Sequence, residues 1–211
     1  MGGDVSYRFT GRERATIELD GTFLPGRLAV PRQLALELDA EGRARLRLFA
    51  FHVDDLRIAR VPLVRASYAE VVWRIAVRAG ETAAWWVPAC DLGARAPRLL
   101  ASRYIHYPTR AGTIEVELDH VRVAGEAGSL AIALGPAGSE DVTQESRTLL
   151  VGPAAEWEVP WGDDGPAAHP AVAAVSADSL AEATVGGPVS WAGVAFVRQG
   201  REHRCGVARL R

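Results

Sequence analysis

The chain has 211 residues, a formal net charge of −2 and 48% hydrophobic residues, which is enough for one globular domain with a sizeable core. The near-neutral charge gives no general electrostatic attraction for nucleic acid, and no apolar run approaches the roughly 18 residues needed to cross a bilayer. All 24 Lys+Arg residues are arginines, and the absence of lysine excludes Schiff-base catalysis, pyridoxal phosphate attachment and the P-loop lysine.

The predicted elements are mostly β-strands. Apolar and polar residues alternate with a period of two, which is typical of half-buried strands, in the segments 15–19, 34–38, 44–53, 69–78, 113–123, 189–198 and 204–210. In the segment 69–78, Trp73 and Ile75 fall on one predicted face, and Glu70 and Arg74 fall on the other. A helix would pair Glu70 with Arg74 at i,i+4, but the many β-branched residues favour a strand.

Two short helices are predicted between the strands. The first follows Asp91, a candidate N-cap, and runs through 96–103, and the second covers 179–183 behind Asp178. Gly-, Pro- and Asp-rich stretches predict loops at 125–129, 135–140 and 162–170. No repeat or linker divides the sequence, so we predict a single domain over residues 1–211.

The C-terminal residues predict a closing β-hairpin around Gln199-Gly200. Trp191 and His203 on its two arms would line a cavity, although packing in the core is the default interpretation for both. An exposed edge strand would favour assembly into homo-oligomers.

The cysteines and histidines give no metal or redox motif. Cys90 and Cys205 form no C-x-x-C pair, and a buried core thiol is the favoured interpretation of Cys90 over a nucleophile. His52 and Asp54 would offer two metal ligands on one strand face, but a surface histidine near a turn is the favoured interpretation. We therefore predict no metal and no cofactor.

Residues suited to a small ligand occur together in the middle of the chain. Tyr68-x-Glu70 opens the strand described above, the segment 85–88 (Trp-Trp-Val-Pro) follows, Arg103 ends the first predicted helix, and an aromatic turn occupies 104–112. A carboxylate, an arginine and an aromatic turn that converge would suit a small anionic or carbonyl ligand. Surface charges beside a structural turn are the alternative explanation.

The order of these segments resembles the acetoacetate decarboxylase superfamily over roughly residues 60–115. That family has a strand with Tyr-x-Glu, an aromatic strand, a helix with an Arg near its end, and a turn of the form aromatic-Pro-Lys-Lys-x-Gly. The resemblance implies a mainly β fold, a cone-like closed antiparallel β-barrel with a central cavity and one or two short helices. An eight-strand calycin-like barrel is the rival fold, but it does not explain the order of the motifs.

One departure from the family pattern decides the expected chemistry. Thr109 and Arg110 stand where the family has the lysine that forms the Schiff base and the lysine that lowers its pKa. Thr109 cannot form an imine, so we expect acetoacetate decarboxylation by the family mechanism to be absent.

The resemblance implies a set of site residues. Glu70 would move a proton α to a carbonyl, while Arg103 and Arg110 would stabilise the developing oxyanion. Substrate-binding roles are expected for Tyr68, Trp86, His106, Tyr107 and Thr109. A salt bridge from Glu70 to Arg74 or Arg78 is the alternative to its cavity role.

We therefore expect an enzyme of lyase or isomerase type that performs lysine-independent proton transfer, dehydration or cyclisation on a small keto acid or polyketide-like substrate. The first alternative is a non-catalytic protein that binds a small organic anion. The second is a structural protein whose cavity is filled by side chains, with Trp85 and Trp86 packed inside. The expected partner is a small keto acid or another organic anion, with no nucleic acid and no membrane, in a bacterial cytoplasm.

Overall fold

The computed structural model describes residues 9–26, 28–58, 61–100, 102, 108–138, 147–151, 155–160, 167–205 and 208–210. Within these ranges the chain is almost entirely β-structure. The strands are β1 (Phe9–Phe23), β2 (Leu34–Leu36), β3 (Ala44–Ile58), β4 (Val61–Ala79), β5 (Thr82–Leu92), β6 (Thr109–Glu117), β7 (His120–Gly125), β8 (Gly128–Ala137), β9 (Arg147–Val151), β10 (Ala155–Pro160), β11 (His169–Ala177), β12 (Val189–Arg198), β13 (Arg201–Cys205) and β14 (Ala208–Leu210). The helices are α1 (Arg95–Leu100) and α2 (Ser179–Val185).

Nine of these strands close into a barrel. Their order is β5-β6-β7-β8-β11-β12-β1-β3-β4, and β4 pairs again with β5 to complete the ring. The β5–β6 pair is parallel and the other ring pairs are antiparallel. The closed barrel is therefore confirmed, and it is mixed rather than purely antiparallel.

The barrel interior is filled by apolar side chains. Residues from every strand of the ring contribute, because alternate positions of each strand point inward. Trp73, Ile75 and Trp86 are among them, and α2 adds Leu180 and Val185 at one end. The predicted faces of the segment 69–78 are confirmed, since Trp73 and Ile75 lie in this core while Glu70 and Arg74 lie on the opposite face of β4.

The predicted helix cap and the predicted C-terminal hairpin are both wrong. Asp91 is not a helix cap, because β5 continues to Leu92 and α1 begins at Arg95. The predicted C-terminal hairpin is also absent, because β12 and β13 do not pair with each other. Both pair with β1 in succession, in the registers Thr16↔Arg198 and Glu13↔Arg201.

The segment 113–123 is a hairpin rather than one strand, since β6 ends at Glu117 and β7 begins at His120. The helix behind Asp178 is confirmed, and it continues to Val185, where Gly186 adopts the left-handed conformation that ends it. In the part of the chain that the structure describes, no helix is long and apolar enough to cross a membrane.

Candidate active site

The candidate site lies beside β5, at the point where one neighbouring strand ends and the next one begins to pair with it. Strand β9 pairs with β5 at Trp85 and Trp86, and β6 pairs with the same strand at 90–92. The residues 87–89 between these pairings include Pro88, which has no amide hydrogen to give to a ladder. The two parallel neighbours therefore separate at this point and leave a gap in the sheet.

A pocket opens at this gap. Its volume is about 460 Å³, within the range of small-molecule sites. The described residues that line it are Pro88, Ala89, Ser102, Pro108, Thr109, Arg110, Ala183 and Thr184. Arg110 is the charged residue among them. The last turns of α2 form one wall, so the helix that plugs the barrel end also shapes the pocket.

Arg110 is held by a buried carboxylate. Its Nε donates to Asp91 Oδ1 at 2.9 Å and its Nη2 donates to Asp91 Oδ2 at 2.7 Å. This is the planar two-point contact that guanidinium and carboxylate groups favour. The Asp91 side chain is 3% exposed and that of Arg110 is 27% exposed, so the pair joins the barrel core to the pocket.

Two further side chains complete this arrangement. The Trp73 indole donates to Asp91 Oδ2 at 2.7 Å, and Arg110 Nη2 also donates to Thr184 Oγ1 at 3.0 Å. The Thr184 hydroxyl in turn donates to the Leu180 carbonyl at 2.7 Å. The guanidinium is thus fixed from the barrel core and from α2 together.

Glu70 lies on the opposite face of the same sheet. It is 6% exposed, and the Cys90 thiol donates to its Oε1 at 2.8 Å. Burial, and next the negative charge of Glu70, raise the pKa of Cys90 well above its usual range. Cys90 is therefore a neutral hydrogen-bond donor, in accord with the expected core thiol.

The strand register explains why the two groups are separated. One row of paired residues runs Val71↔Asp91↔Arg110, and the next row runs Val72↔Cys90↔Thr109. Paired residues share a face and consecutive residues alternate. Thr109 therefore shares the face of Cys90 and Glu70, whereas Arg110 shares the face of Asp91.

The face that carries Glu70 also holds other buried charges. Glu18 and Arg198 are both nearly inaccessible and form an ion pair of 3.2 Å, and Arg74 is 5% exposed, with its guanidinium 4.3 Å from the Phe49 ring centre. Charged groups are costly to bury even when they are paired. This face therefore carries polar groups that simple core packing does not require.

The other predicted site residues differ in position. Tyr68 is half-buried two residues before Glu70 on β4, and it remains a candidate for contact with a ligand on that face. Trp86 is 5% exposed within the apolar core, and lies four residues before Cys90, roughly 13 Å along β5. Thr109 and Arg110 both line the pocket. Trp86 packs in the barrel core instead. Arg103, His106 and Tyr107 lie outside the described residues.

Sequence reasoning missed three components of the site: Asp91, Pro88 and Thr184. Asp91 was assigned to a helix cap because aspartate is rare within strands. A proline inside the β5 pattern was an available signal for an unpaired edge. No pattern in the sequence connects Thr184 with Arg110, because that contact depends on how α2 closes the barrel.

Comparison with known proteins gives the fold. No family model and no curated protein matches the chain, whereas solved structures match it over nearly its whole length. An acetoacetate decarboxylase-like enzyme from Sphingomonas wittichii RW1 has 14% identity and a TM-score of 0.63, covering 100% of this chain and 94% of that one. Acetoacetate decarboxylase from Legionella pneumophila subsp. pneumophila str. Philadelphia 1 has 12% identity and a TM-score of 0.67, covering 98% and 87%.

A third structure is that of the enduracididine biosynthesis enzyme MppR, complexed with the condensation product of pyruvate and imidazole 4-carboxaldehyde. It has 11% identity and a TM-score of 0.61, and the match covers 99% of this chain and 90% of that one. The chain therefore has the acetoacetate decarboxylase-like fold that the residue pattern suggested.

Proposed function

We propose that the protein is an enzyme that moves a proton α to the carbonyl of a small keto acid or related carbonyl compound, without a Schiff base. The observation that carries the proposal is the buried carboxylate of Glu70, which shares a sheet face with Thr109 at the pocket and accepts a hydrogen bond from Cys90 between them. Glu70 is not itself among the described residues that line the pocket, so the proposal requires a substrate that passes Thr109 and comes within hydrogen-bond distance of this carboxylate.

The proposed step needs no amine. Glu70 takes the α-proton, the electron pair of the C–H bond moves into the enolate, and the developing negative charge on oxygen is stabilised by Arg110. Return of a proton from Glu70 completes an exchange, while loss of a β-hydroxyl or attack on a second carbonyl would give dehydration or cyclisation. Because the sequence has no lysine, each of these outcomes must proceed from the enolate rather than from an enamine.

The gap at Pro88 gives the proposal a geometric requirement. Glu70 and Arg110 lie on opposite faces of the sheet, so a single substrate must extend through the gap to reach both. Thr109 lines the pocket from the Glu70 face and Arg110 lines it from the other. The carbonyl oxygen and the α-carbon of a substrate are bonded to the same carbon atom, so the proposal requires both side chains to reach the gap itself, Arg110 to the oxygen and Glu70, past Thr109, to the α-hydrogen.

The relatives support the class of ligand. MppR has been solved with a condensation product of pyruvate, so a protein of this fold accommodates small keto-acid chemistry.

The test is proton NMR in deuterated water with pyruvate, acetylacetone and β-keto acids. We expect deuterium to enter the α-carbon in the presence of the protein, and we expect Glu70→Gln to abolish this exchange with an unchanged circular dichroism spectrum. Glu126→Gln, on the exposed β7–β8 turn, is the matched control and should exchange at the full rate. Normal exchange by Glu70→Gln would rule out the proposed base.

One observation favours a second candidate, a non-catalytic protein that binds a small organic anion. The separation of Glu70 from Arg110 by the sheet would leave Arg110 to bind a ligand that Glu70 never reaches. Saturable, Arg110-dependent binding in the same NMR experiment, with the ligand recovered without deuterium, would establish this candidate.

A further inference from the structure

We infer that Asp91 and Thr184 are positioning residues that make Arg110 present a single nitrogen, Nη1, to the pocket, so that the site selects a carbonyl compound with at most one negative charge. The inference deepens the proposed function and rests on it for the ligand class alone. Three observations carry it: the donor pattern of Arg110, the charge balance of the pair, and the composition of the pocket.

The donor pattern leaves one free nitrogen. A guanidinium has five N–H groups in a fixed plane. Nε and Nη2 donate to Asp91, and Nη2 also donates to Thr184, so three N–H groups are used. No hydrogen bond from the described part of the chain reaches Nη1, whose two N–H groups remain for a ligand.

This pattern restricts how a ligand can bind. The side-on edge of the guanidinium, which can donate two parallel hydrogen bonds to a carboxylate, is covered by Asp91. The end-on edge has lost one donor to Thr184. A ligand oxygen therefore meets Nη1 alone, which suits a carbonyl oxygen or enolate oxygen better than the two oxygens of a carboxylate.

Charge balance acts in the same direction. Asp91 neutralises Arg110 at 2.7 Å, so the pair has no formal net charge. The other described residues that line the pocket are uncharged: Pro88, Ala89, Ser102, Pro108, Thr109, Ala183 and Thr184. A dianion would lose its hydration without a compensating positive charge, whereas a ketone or a monoanionic keto acid would lose much less.

The test compares three probes that differ in charge: acetylacetone, pyruvate and oxalate. Dissociation constants are measured by ligand-observed NMR on the full chain. We expect the native protein to bind acetylacetone and pyruvate. Oxalate should bind at least about tenfold more weakly, a difference in binding free energy of about 1.4 kcal/mol. Arg110→Gln should weaken acetylacetone and pyruvate at least about tenfold, while Arg122→Gln, an exposed arginine of β7, should leave them unchanged.

Asp91→Asn separates positioning from simple structural damage. It leaves Arg110 with an uncompensated positive charge and with one side-on N–H group that has lost its acceptor, so oxalate should bind more tightly, while neutral acetylacetone should bind no more tightly than before. Structural damage would weaken all three probes together, and that outcome would overturn the inference. Pyruvate bound by Arg110→Gln as tightly as by the native protein would overturn it as well.

Thr184→Val decides the matter if Asp91→Asn does not fold. Valine keeps the size of threonine and returns the second Nη2 hydrogen to the pocket, so pyruvate should bind several-fold more tightly through two parallel bonds while acetylacetone changes little. Unchanged or weaker pyruvate binding would contradict the inference.

The outcome for the proposed function is read separately. Glu70→Gln should abolish deuterium exchange while retaining the native dissociation constant for pyruvate. Binding that follows the Arg110 predictions without any exchange in the native protein would refute the proposed enzyme and leave the inference intact. If deuterium exchange occurs in the native protein but ligand binding does not depend on Arg110, the inference is refuted and the proposed enzyme stands.

Discussion

Consecutive residues of β5 serve different parts of the molecule. Cys90 donates to Glu70 on one face, and Asp91 binds Arg110 and Trp73 on the other. The same division separates Thr109 from Arg110 on β6. Thr109 and Arg110 belong to one motif in the sequence, but their side chains lie on different faces because strand side chains alternate.

Replacement of Cys90 should test how strongly Glu70 depends on its thiol donor. Cys90→Ala removes a buried hydrogen bond to a carboxylate and opens a small space, so the free energy of unfolding should fall by about 1–3 kcal/mol. Cys90→Ser keeps a donor of similar size, and its loss should stay below about 1 kcal/mol. Urea unfolding followed by tryptophan fluorescence measures both. Equal losses in the two variants would show that the hydrogen bond to Glu70 is unimportant.

The Cys90 thiol should be unreactive towards disulfide reagents in the folded protein. Since burial and Glu70 raise the pKa of Cys90, little thiolate is present, and reagent access is blocked as well. With Cys205 replaced by serine, a disulfide reagent at pH 8 should label Cys90 in urea and leave the native protein essentially unlabelled over the same period. Rapid labelling of the native protein would contradict the buried position.

At the scale of elements, alternation identified most of the strands but not how they pair. The predicted segment 189–198 has the same bounds as the observed strand β12. Strands β1, β3 and β4 extend beyond the segments predicted for them. The prediction of a hairpin at Gln199-Gly200 was wrong because a glycine with positive φ serves both in a two-residue turn and between two strand segments that follow the same partner strand in one register. Gly200 has a φ of 76°, and its amide donates to Glu13 of β1 at 2.9 Å. The pairing is decided by the 15-residue partner strand β1, which no local pattern describes.

Asp91 shows the same limit for the candidate site. Local preference assigns an aspartate before a Leu-Gly-Ala-Arg-Ala-Pro stretch to a helix cap. The pairing with Arg110, 19 residues later, overrides that preference because a bidentate ion pair satisfies the buried carboxylate. Glu70, Thr109 and Arg110 were identifiable from the family-like order, but their distribution over two faces required the register.

The connection between β12 and β13 should depend on Gly200 through its backbone conformation, because Gly200 has a positive φ of 76°. A Cβ at this position would meet Arg12 Nη2 at an ordinary 3.8 Å, so the cost of Gly200→Ala is strain alone, about 1–2 kcal/mol of the free energy of unfolding. Gly187→Ala is the control, because its φ is not positive and a Cβ there meets nothing within 4 Å. Urea unfolding should separate the two variants. Equal stability would mean that the connection between β12 and β13 does not need the left-handed conformation.

The nine-strand ring surrounds one apolar core, so charged groups far from the pocket still affect the stability of the fold. Arg14 of β1 joins Glu117 of β6 and His52 of β3 through contacts of 3.0 and 2.8 Å. His120, at the β6–β7 turn, contacts Asp119 at 2.7 Å and Glu115 at 3.2 Å. The two imidazoles thus have different surroundings, because carboxylates contact His120 and a guanidinium contacts His52.

His120 and His52 should therefore give opposite pH dependences. The hydrogen bond to Asp119 raises the pKa of His120, so its contribution to stability is complete below pH 6.5 or so and is lost as the pH rises through the folded pKa. Burial, and then Arg14, lower the pKa of His52, so its contribution is complete above pH 6.5 or so and is lost as the pH falls.

Urea unfolding at pH 5.5 and pH 8.5 tests this pair of signs with matched variants. His120→Gln should lower the free energy of unfolding at pH 5.5 more than at pH 8.5, because the neutral amide cannot form the ion pair that the protonated imidazole forms with Asp119. His52→Gln should have its larger cost at pH 8.5, because the native histidine is neutral there and accepts from Arg14, whereas at pH 5.5 the variant also removes the cost of holding the ring deprotonated. The difference between the two pH values should thus change sign from one variant to the other. Two variants that lose the same stability at both pH values would show that these histidines contribute only through packing.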